Sequence, residues 1–140
     1  MAVRVKVRIA LGGHSVQVVA IANTGFETDD AQLLLPVAIG KHLRGTRASK
    51  ATPIRYATAG GMGLSLVPIG IGSVRALVPD RQTPAVDARI LVSQDETEIV
   101  MNDVLVEALG LVLLKPGHGI WRFLDDAQDR ERPSEPRTTY

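Results

Sequence analysis

The sequence predicts a mainly β fold with one or two short helices. Three observations support this: apolar and basic residues alternate strictly at the N-terminus, turn-forming residues separate apolar runs of strand length, and helical spacing occurs in only two short stretches. With 140 residues, of which 45% are hydrophobic, the chain has the size and composition of one globular domain. A net charge of +1 argues against both wholesale disorder and a generally basic nucleic-acid-binding protein.

The first two strands are predicted to form a hairpin. Apolar side chains alternate with basic ones from residue 3 to residue 9, which is the period of a half-buried strand. Gly12 and Gly13 supply the turn, since paired glycines reach positive φ without a steric penalty. Residues 16–22, VQVVAIA, are more continuously apolar, and this composition predicts a strand buried on both faces and central in its sheet.

A turn at Asn23, Thr24 and Gly25 ends the second strand, because these residue types favour a tight turn over continued sheet. A polar loop follows it. Residues 33–36 are then predicted to form a short strand that runs into a brief helix over residues 37–43, whose first turn tolerates the preceding proline.

The middle of the chain is predicted to be mostly sheet. A short strand at residues 54–57 leads into a glycine-rich hairpin at residues 59–63, where glycine adds backbone freedom and no side chain to pack. Further apolar runs of strand length are found at residues 64–71, 73–78 and 85–92.

A helix and a closing hairpin follow. Asn102 and Asp103 are suited to cap a helix, because apolar residues recur after them at spacings of three and four, and Gly110 stands where a C-terminal stop belongs. Residues 111–114 and 120–124 are predicted to pair as the closing hairpin.

The predicted domain covers residues 1–124. Residues 125–140 are predicted to be a disordered charged tail, because they combine dense charge and two prolines with no apolar periodicity. The N-terminus has no apolar run after a basic start, so no signal peptide is expected. The apolar runs fall far short of the roughly 20 residues that span a bilayer, so no membrane partner is expected. The expected location is cytoplasmic.

Cofactor and metal chemistry are not expected. The chain has no Cys, which excludes disulfides, thiolate zinc sites, iron–sulfur clusters and a cysteine nucleophile. Its three histidines, at positions 14, 42 and 118, are isolated in the sequence and are better interpreted as surface residues than as metal ligands. The glycine-rich stretches complete neither G-x-G-x-x-G nor G-x-x-x-x-G-K-[ST], so no nucleotide cofactor is predicted.

Three segments together carry a resemblance to a known family. Asn23-Thr24-Gly25 follows an apolar strand and precedes a leucine-rich one, residues 99–105 lead into a helix that ends in Leu-Gly, and the glycine-rich hairpin lies between them. In this order and spacing the chain resembles the single-domain retropepsin-like aspartic proteases over roughly residues 3–123. The resemblance implies a small closed β-barrel of the retropepsin type with a glycine-rich flap hairpin, which acts as a homodimer on extended peptides.

The resemblance also implies roles for particular residues. Asn23 stands where the family has its catalytic aspartate, Thr24 locks the loops of the two subunits through its hydroxyl, and Gly25 lets the substrate backbone approach. Apart from the resemblance, Glu27 or Asp29 is a candidate to contact a peptide backbone, although solvated surface charge is the better interpretation of the acidic residues in this loop. Met101 stands where the family usually has glycine, so its side chain is expected to crowd the substrate path. The flap residues expected to cover the substrate are Ala59, Gly60, Gly61 and Met62.

Asn23 bears directly on activity. The family's mechanism needs two carboxylates that share one proton, one activating water while the other protonates the substrate carbonyl. An amide cannot act as general base, so no peptide hydrolysis by this route is expected with Asn23. Three explanations stay open: an Asp→Asn substitution made to silence an active site, a natural pseudoenzyme that keeps the fold for binding, or a different family.

Two other functions compete with a silenced endopeptidase. A non-catalytic peptide-binding or dimerisation module of the same fold would account for Asn23 and Met101. A nucleic-acid-binding barrel would use a modest basic cluster, but such surfaces usually add stacking aromatic residues, and the chain has only five aromatics. No nucleic-acid partner is therefore expected from this cluster, which consists of Arg44, Arg47, Lys50 and Arg55.

Overall fold

The computed structural model describes residues 1–45, 54–56 and 64–140, and it is mainly β, as the sequence predicts. Within these residues there are two α-helices, α1 at Val37–Arg44 and α2 at Asp103–Ala108. The strands are β1 Arg4–Leu11, β2 His14–Ala22, β3 Gln32–Pro36, β4 Ile54–Tyr56, β5 Leu64–Ala76, β6 Val86–Ser93, β7 Ile99–Met101, β8 Leu111–Lys115 and β9 Ile120–Phe123.

Six of these strands close into a barrel. They follow the order β1-β2-β7-β3-β6-β5, and the ring closes because β1 pairs with β5 as well as with β2. The closing ladder runs from Val7 opposite Ala76 to Ala10 opposite Ser73. β2 is parallel to β7 and β3 is parallel to β6, whereas the other neighbours in the ring are antiparallel. The predicted small closed barrel is therefore present.

The N-terminal hairpin is confirmed, and β1 faces the core as its alternation predicts. Val5, Val7 and Ile9 are buried inside the barrel, whereas Lys6 and Arg8 are exposed. The pairing of β1 with β2 is antiparallel and continuous over both strands. A period of two thus sorts these side chains between one interior and one outer face.

β2 lies between β1 and β7, so its predicted central position is confirmed. The prediction that both of its faces are buried is wrong. Val18 and Ala20 are its buried residues, while Val16, Val19 and Ile21 are only partly covered. Its inward residues belong to the main hydrophobic cluster, whereas its outer face is only partly covered, with Ile21 packed against a second cluster formed by Leu34, Leu66, Leu91 and Val100.

Helix α1 confirms the helix predicted after the leucine-rich strand. It packs on the barrel through Ile39, Gly40 and Leu43. A Cβ added to Gly40 would lie 2.5 Å from Cγ2 of Val92, so glycine is what lets the helix lie this close to β6.

β5 is longer than predicted. The two predicted strands at residues 64–71 and 73–78 are one continuous strand as far as Ala76, with a register shift between Pro68 and Gly70. A Cβ at Gly72 would lie 2.7 Å from the carbonyl oxygen of Ala10 in β1. Gly72 is therefore a point of close approach between strands and does not break the strand.

The predicted C-terminal helix and hairpin are both confirmed. Asn102 is the N-cap of α2, and its side chain accepts a hydrogen bond from the Leu105 amide at 3.0 Å. Gly110 follows the helix with a φ of +74°, the left-handed conformation expected at a helix stop. β8 and β9 form a separate two-stranded antiparallel sheet beside the barrel.

Residues 125–140, which we call the strap, are not a disordered tail, and that prediction is wrong. Arg132 forms a backbone bridge with Trp121, with N···O distances of 3.0 and 2.7 Å. Farther along, the Tyr140 amide donates to the carbonyl of Thr97 at 2.8 Å. The composition was misleading because the strap is held by backbone bonds and by one buried charged side chain, and neither of these requires apolar periodicity.

Candidate functional site

The Asn-Thr-Gly turn lies where two parallel strands end together. Ala22, the last residue of β2, stands opposite Met101, the last residue of β7. The backbone N–H of Asn23 continues the ladder by donating a hydrogen bond to the carbonyl of Met101 at 3.0 Å. Asn23 and Asn102 therefore leave neighbouring strands at the same edge of the sheet, where loops can bring functional side chains together.

The turn fixes the orientation of the side-chain amide of Asn23. Its Oδ1 accepts a hydrogen bond from the Gly25 amide at 3.0 Å, and its backbone carbonyl accepts one from the Phe26 amide at 3.1 Å. A Cβ added to Gly25 would lie 3.2 Å from Oδ1 of Asn23, which is tighter than most real contacts. Asn23, Thr24 and Gly25 are all exposed, so the turn is accessible to a ligand.

Asn102 organises the loop that follows the turn. Its Oδ1 accepts hydrogen bonds from the amides of Gln32, at 2.9 Å, and Leu105, at 3.0 Å. Its Nδ2 donates to Oγ1 of Thr28, at 2.6 Å, and to the carbonyl of Asp30, at 2.9 Å. Asn102 is completely buried and uses two acceptor and two donor positions, so the loop is tied to the start of α2. The sequence indicates only its capping role.

The far end of the loop is held by charge. Asp30 accepts a hydrogen bond from Nε2 of Gln32 at 2.7 Å and one from Nε of Arg89 at 3.0 Å. The bond from Gln32, aided by the bond and the positive charge of Arg89, holds the pKa of Asp30 below its ordinary value. Oε1 of Gln32 is buried and has no hydrogen-bond partner among the described residues.

Met101 does not line the site. Its side chain is completely buried and belongs to the main hydrophobic cluster of the barrel. The expectation that it crowds a substrate path is therefore wrong. The physical reason is the two-residue period of β7, which sends this side chain inward although its backbone stands beside Asn23.

The remaining predicted site residues fall into two groups. Glu27 is exposed on the loop directly after the turn, so a contact with a peptide stays a prediction that its position allows. The predicted flap, together with Arg47 and Lys50 of the basic cluster, lies outside the described residues. The flap residues concerned are Ala59, Gly60, Gly61 and Met62.

A groove of about 480 Å³ opens beside Thr24. Val106 of α2, together with Leu111 and Val112 of β8, gives it an apolar lining. At its edge lies Leu124, whose side chain is 73% exposed and is one of few large apolar residues left open to solvent in the described structure. No pattern in the sequence indicates this groove, because it lies between α2 and a hairpin that only the fold brings together.

The described residues offer an amide, a hydroxyl and backbone groups at the turn, and this set can bind but cannot transfer protons as an acid–base pair. They contain no group of three or more histidine or acidic side chains arranged to hold a metal ion. No helix in the described ranges is long and apolar enough to cross a membrane.

No protein-family model matches the sequence, and no curated protein does so significantly.

Proposed function

We propose that this chain is a retropepsin-like aspartic endopeptidase scaffold, which binds extended peptides as a homodimer and is silent in hydrolysis because of Asn23. One observation carries the proposal. The Asn23-Thr24-Gly25 turn directly follows β2, at the point where β2 and its parallel neighbour β7 in the closed barrel end together. Oδ1 of Asn23 accepts a hydrogen bond from the Gly25 amide, which fixes its orientation.

The same geometry suits a carboxylate. An aspartate at position 23 would keep one oxygen on the Gly25 amide, while its second oxygen would take the place of Nδ2 and face the exposed side of the turn. Two such carboxylates, one from each subunit, could share a proton and supply the base and the acid of hydrolysis. The amide cannot ionise, so the unaltered chain is left with binding alone.

A homodimer is part of the proposal because the chain has one copy of the turn. The groove beside Thr24 and the exposed Leu124 supply apolar surface next to the turn, which an isologous contact would cover. Sedimentation of Leu124→Asp should show a shift toward monomer. Ile71→Asp is the matched control, since Ile71 is also exposed, at 61%, but does not line the groove.

The activity test is restoration of the carboxylate. Asn23→Asp is incubated with a diverse library of unfolded peptides from acidic to neutral pH, alongside the unaltered chain and Asn23→Ala, and products are identified by mass spectrometry. Cleavage by Asn23→Asp alone, abolished by a transition-state inhibitor of aspartic proteases, supports the scaffold. A folded, dimeric Asn23→Asp that cleaves nothing contradicts the endopeptidase proposal.

A non-catalytic peptide-binding module is the second candidate. It is favoured by Nδ2 of the exposed residue Asn23, which has no hydrogen-bond partner among the described residues and can donate to a ligand. This function predicts that Asn23→Asp stays inactive while the unaltered chain still binds extended peptides. Peptide binding measured beside the cleavage assay separates the two candidates.

A further inference from the structure

Arg122 of β9 lies at the edge of the groove beside Thr24. In the β8–β9 hairpin it stands opposite Val112, which lines the groove, and residues opposite one another in an antiparallel pair project from the same face. Its Nη1 donates hydrogen bonds to the carbonyls of Phe123, at 2.9 Å, and Leu124, at 3.2 Å. The guanidinium is therefore held next to Leu124, which also lines the groove.

The charge of Arg122 has no partner within the chain. Arg122 takes part in no ion pair between described residues. Its Nε is buried and has no hydrogen-bond partner there, and Nη2, which is not buried, also has none. A cation that is partly removed from water costs free energy unless a carboxylate compensates it. The single subunit does not supply that carboxylate.

The same groove contains a carboxylate that also lacks a partner. Glu107 of α2 lines the groove, is exposed, and takes part in no ion pair between described residues. The second carboxylate of the groove, Asp103, already accepts a hydrogen bond from the Val104 amide at 2.8 Å. One groove face thus presents an unpaired cation and an unpaired anion that do not meet within one subunit.

A second copy of the chain can satisfy both groups at once. In an isologous contact the same face of each subunit meets its counterpart, so every contact between two different residues is made twice. We propose that Arg122 of each subunit forms an ion pair with Glu107 of the partner subunit across the groove beside Thr24. The apolar lining supplies the buried area of this contact, and the two ion pairs select a second copy and fix its orientation. This inference deepens the proposed homodimer and rests on it.

The test begins with charge reversal, with the dissociation constant of the dimer measured by sedimentation at low salt. Arg122→Glu and Glu107→Arg should each weaken the dimer at least about a hundredfold, since each of the two symmetric contacts loses about tenfold. Urea unfolding shows whether the variants are folded. Because Glu107 is exposed, Glu107→Arg keeps the test decisive even if Arg122→Glu unfolds. An unchanged dissociation constant in a folded Glu107→Arg overturns the inference.

Mixing the two variants tests whether the pair forms between subunits. Arg122→Glu has two carboxylates at the paired positions and Glu107→Arg has two guanidinium groups, so neither variant can restore the pair within its own chain. An equal mixture should nevertheless form a heterodimer, because both symmetric contacts then join a carboxylate to a guanidinium. Native mass spectrometry distinguishes the heterodimer by mass. Two folded variants that stay monomeric when mixed overturn the inference.

The matched control is Arg75→Glu. Arg75 is an exposed arginine of β5 that takes part in no ion pair between described residues and does not line the groove, so its reversal should leave the dimer unchanged. If Arg75→Glu weakens the dimer as much as Glu107→Arg does, net charge is responsible and the inference fails. If Leu124→Asp weakens the dimer and both groove reversals do not, the inference fails and the proposed homodimer stands. A monomeric unaltered chain contradicts both.

Discussion

Two polar segments of this chain, the loop after Asn23 and the strap, are each held by one buried side chain. Neither segment has apolar periodicity, and each is tied by this side chain to a residue far away in the sequence, the loop to Asn102 and the strap, through Arg132, to Asp80. The loop is held by the Asn102 amide and the strap by the Arg132 guanidinium. The comparison shows that a neutral anchor and a charged anchor can do the same structural work with different sensitivity to pH.

Asn102, the neutral anchor, holds the loop because both ends of its side-chain amide have hydrogen-bond partners. Asn102 is fully buried, and its oxygen and nitrogen together make four hydrogen bonds, two of them directly to the loop. None of these bonds depends on an ionised group. Burying an amide is tolerable only when its hydrogen bonds are made, so the loop conformation and the burial of Asn102 require each other.

Arg132, the charged anchor, holds the strap through ion pairs with two aspartates. The Arg132 guanidinium donates to both carboxylate oxygens of Asp80, at 2.8 Å each, and to those of Asp126, at 2.8 and 3.1 Å. It also lies 5.0 Å from the ring centroid of Phe123, in β9. The Arg132 hydrogen bond is the largest cause that lowers the pKa of Asp80, to about 2, and it also holds the pKa of Asp126 well below its ordinary value.

The largest expected effect comes from removing the neutral anchor. Asn102→Ala leaves the buried amides of Gln32 and Leu105 without an acceptor and removes the cap of α2, so we expect a loss of about 4 kcal/mol in the free energy of unfolding. Urea denaturation measures it. Thr28→Val, which removes one acceptor of Asn102, is the graded control and should cost about 1 kcal/mol. A loss below that of Thr28→Val would contradict the anchoring role.

Removing the charged anchor should cost somewhat less. Arg132→Met keeps an apolar stem over the aromatic rings but leaves the Asp126 carboxylate, whose side chain is only 10% exposed, without its main partner. We expect a loss of about 3 kcal/mol, measured in the same way. Arg130→Met removes a half-exposed arginine 3.6 Å from Asp80 and should cost less than about 0.5 kcal/mol. Equal effects of the two variants would show that burial of Arg132 is unimportant.

The dependence on pH should separate the two anchors. Asp80 and Asp126 have lower pKa values in the folded protein than in the unfolded chain, so their contribution is complete above about pH 4 and disappears as pH falls through the folded values, about 2 for Asp80. The urea midpoint should therefore fall between about pH 4 and pH 2. This fall should be smaller in Arg132→Met and unchanged in Thr28→Val. An identical pH profile in all three proteins would refute the assignment.

The smallest effect is expected at the end of the strap. The Val19 amide donates to the Tyr140 hydroxyl at 2.9 Å, at a point on β2 beyond its pairing with the short strand β7. Tyr140→Phe should cost at most about 1 kcal/mol, since the contact is exposed and water can replace the hydroxyl. Hydrogen exchange at Val19 should nevertheless become faster. Unchanged exchange there would mean that the strap end does not protect this edge.

Much of the fold was predictable because its signals are local. The alternation in β1, the paired glycines after it and the cap and stop of α2 each act within a few residues, and all of these predictions are confirmed. The prediction for Met101 failed for a different reason. The backbone of Met101 lies beside Asn23, but the inward direction of its side chain depends on the position of the residue in β7.

The sequence by itself determined the class of the fold, most of its elements and the chemistry available at the Asn-Thr-Gly turn, because turns, caps and alternation depend on neighbouring residues. It did not predict β7, the short strand that ends beside this turn. Only the tertiary structure decided that the barrel closes through β1 and β5, that Asn102 reaches back about 70 residues to hold the loop, and that Arg132 reaches 52 residues to Asp80. Hydrogen bonds and ion pairs between such distant residues leave no periodic pattern in composition, since their partners meet only after the chain has folded.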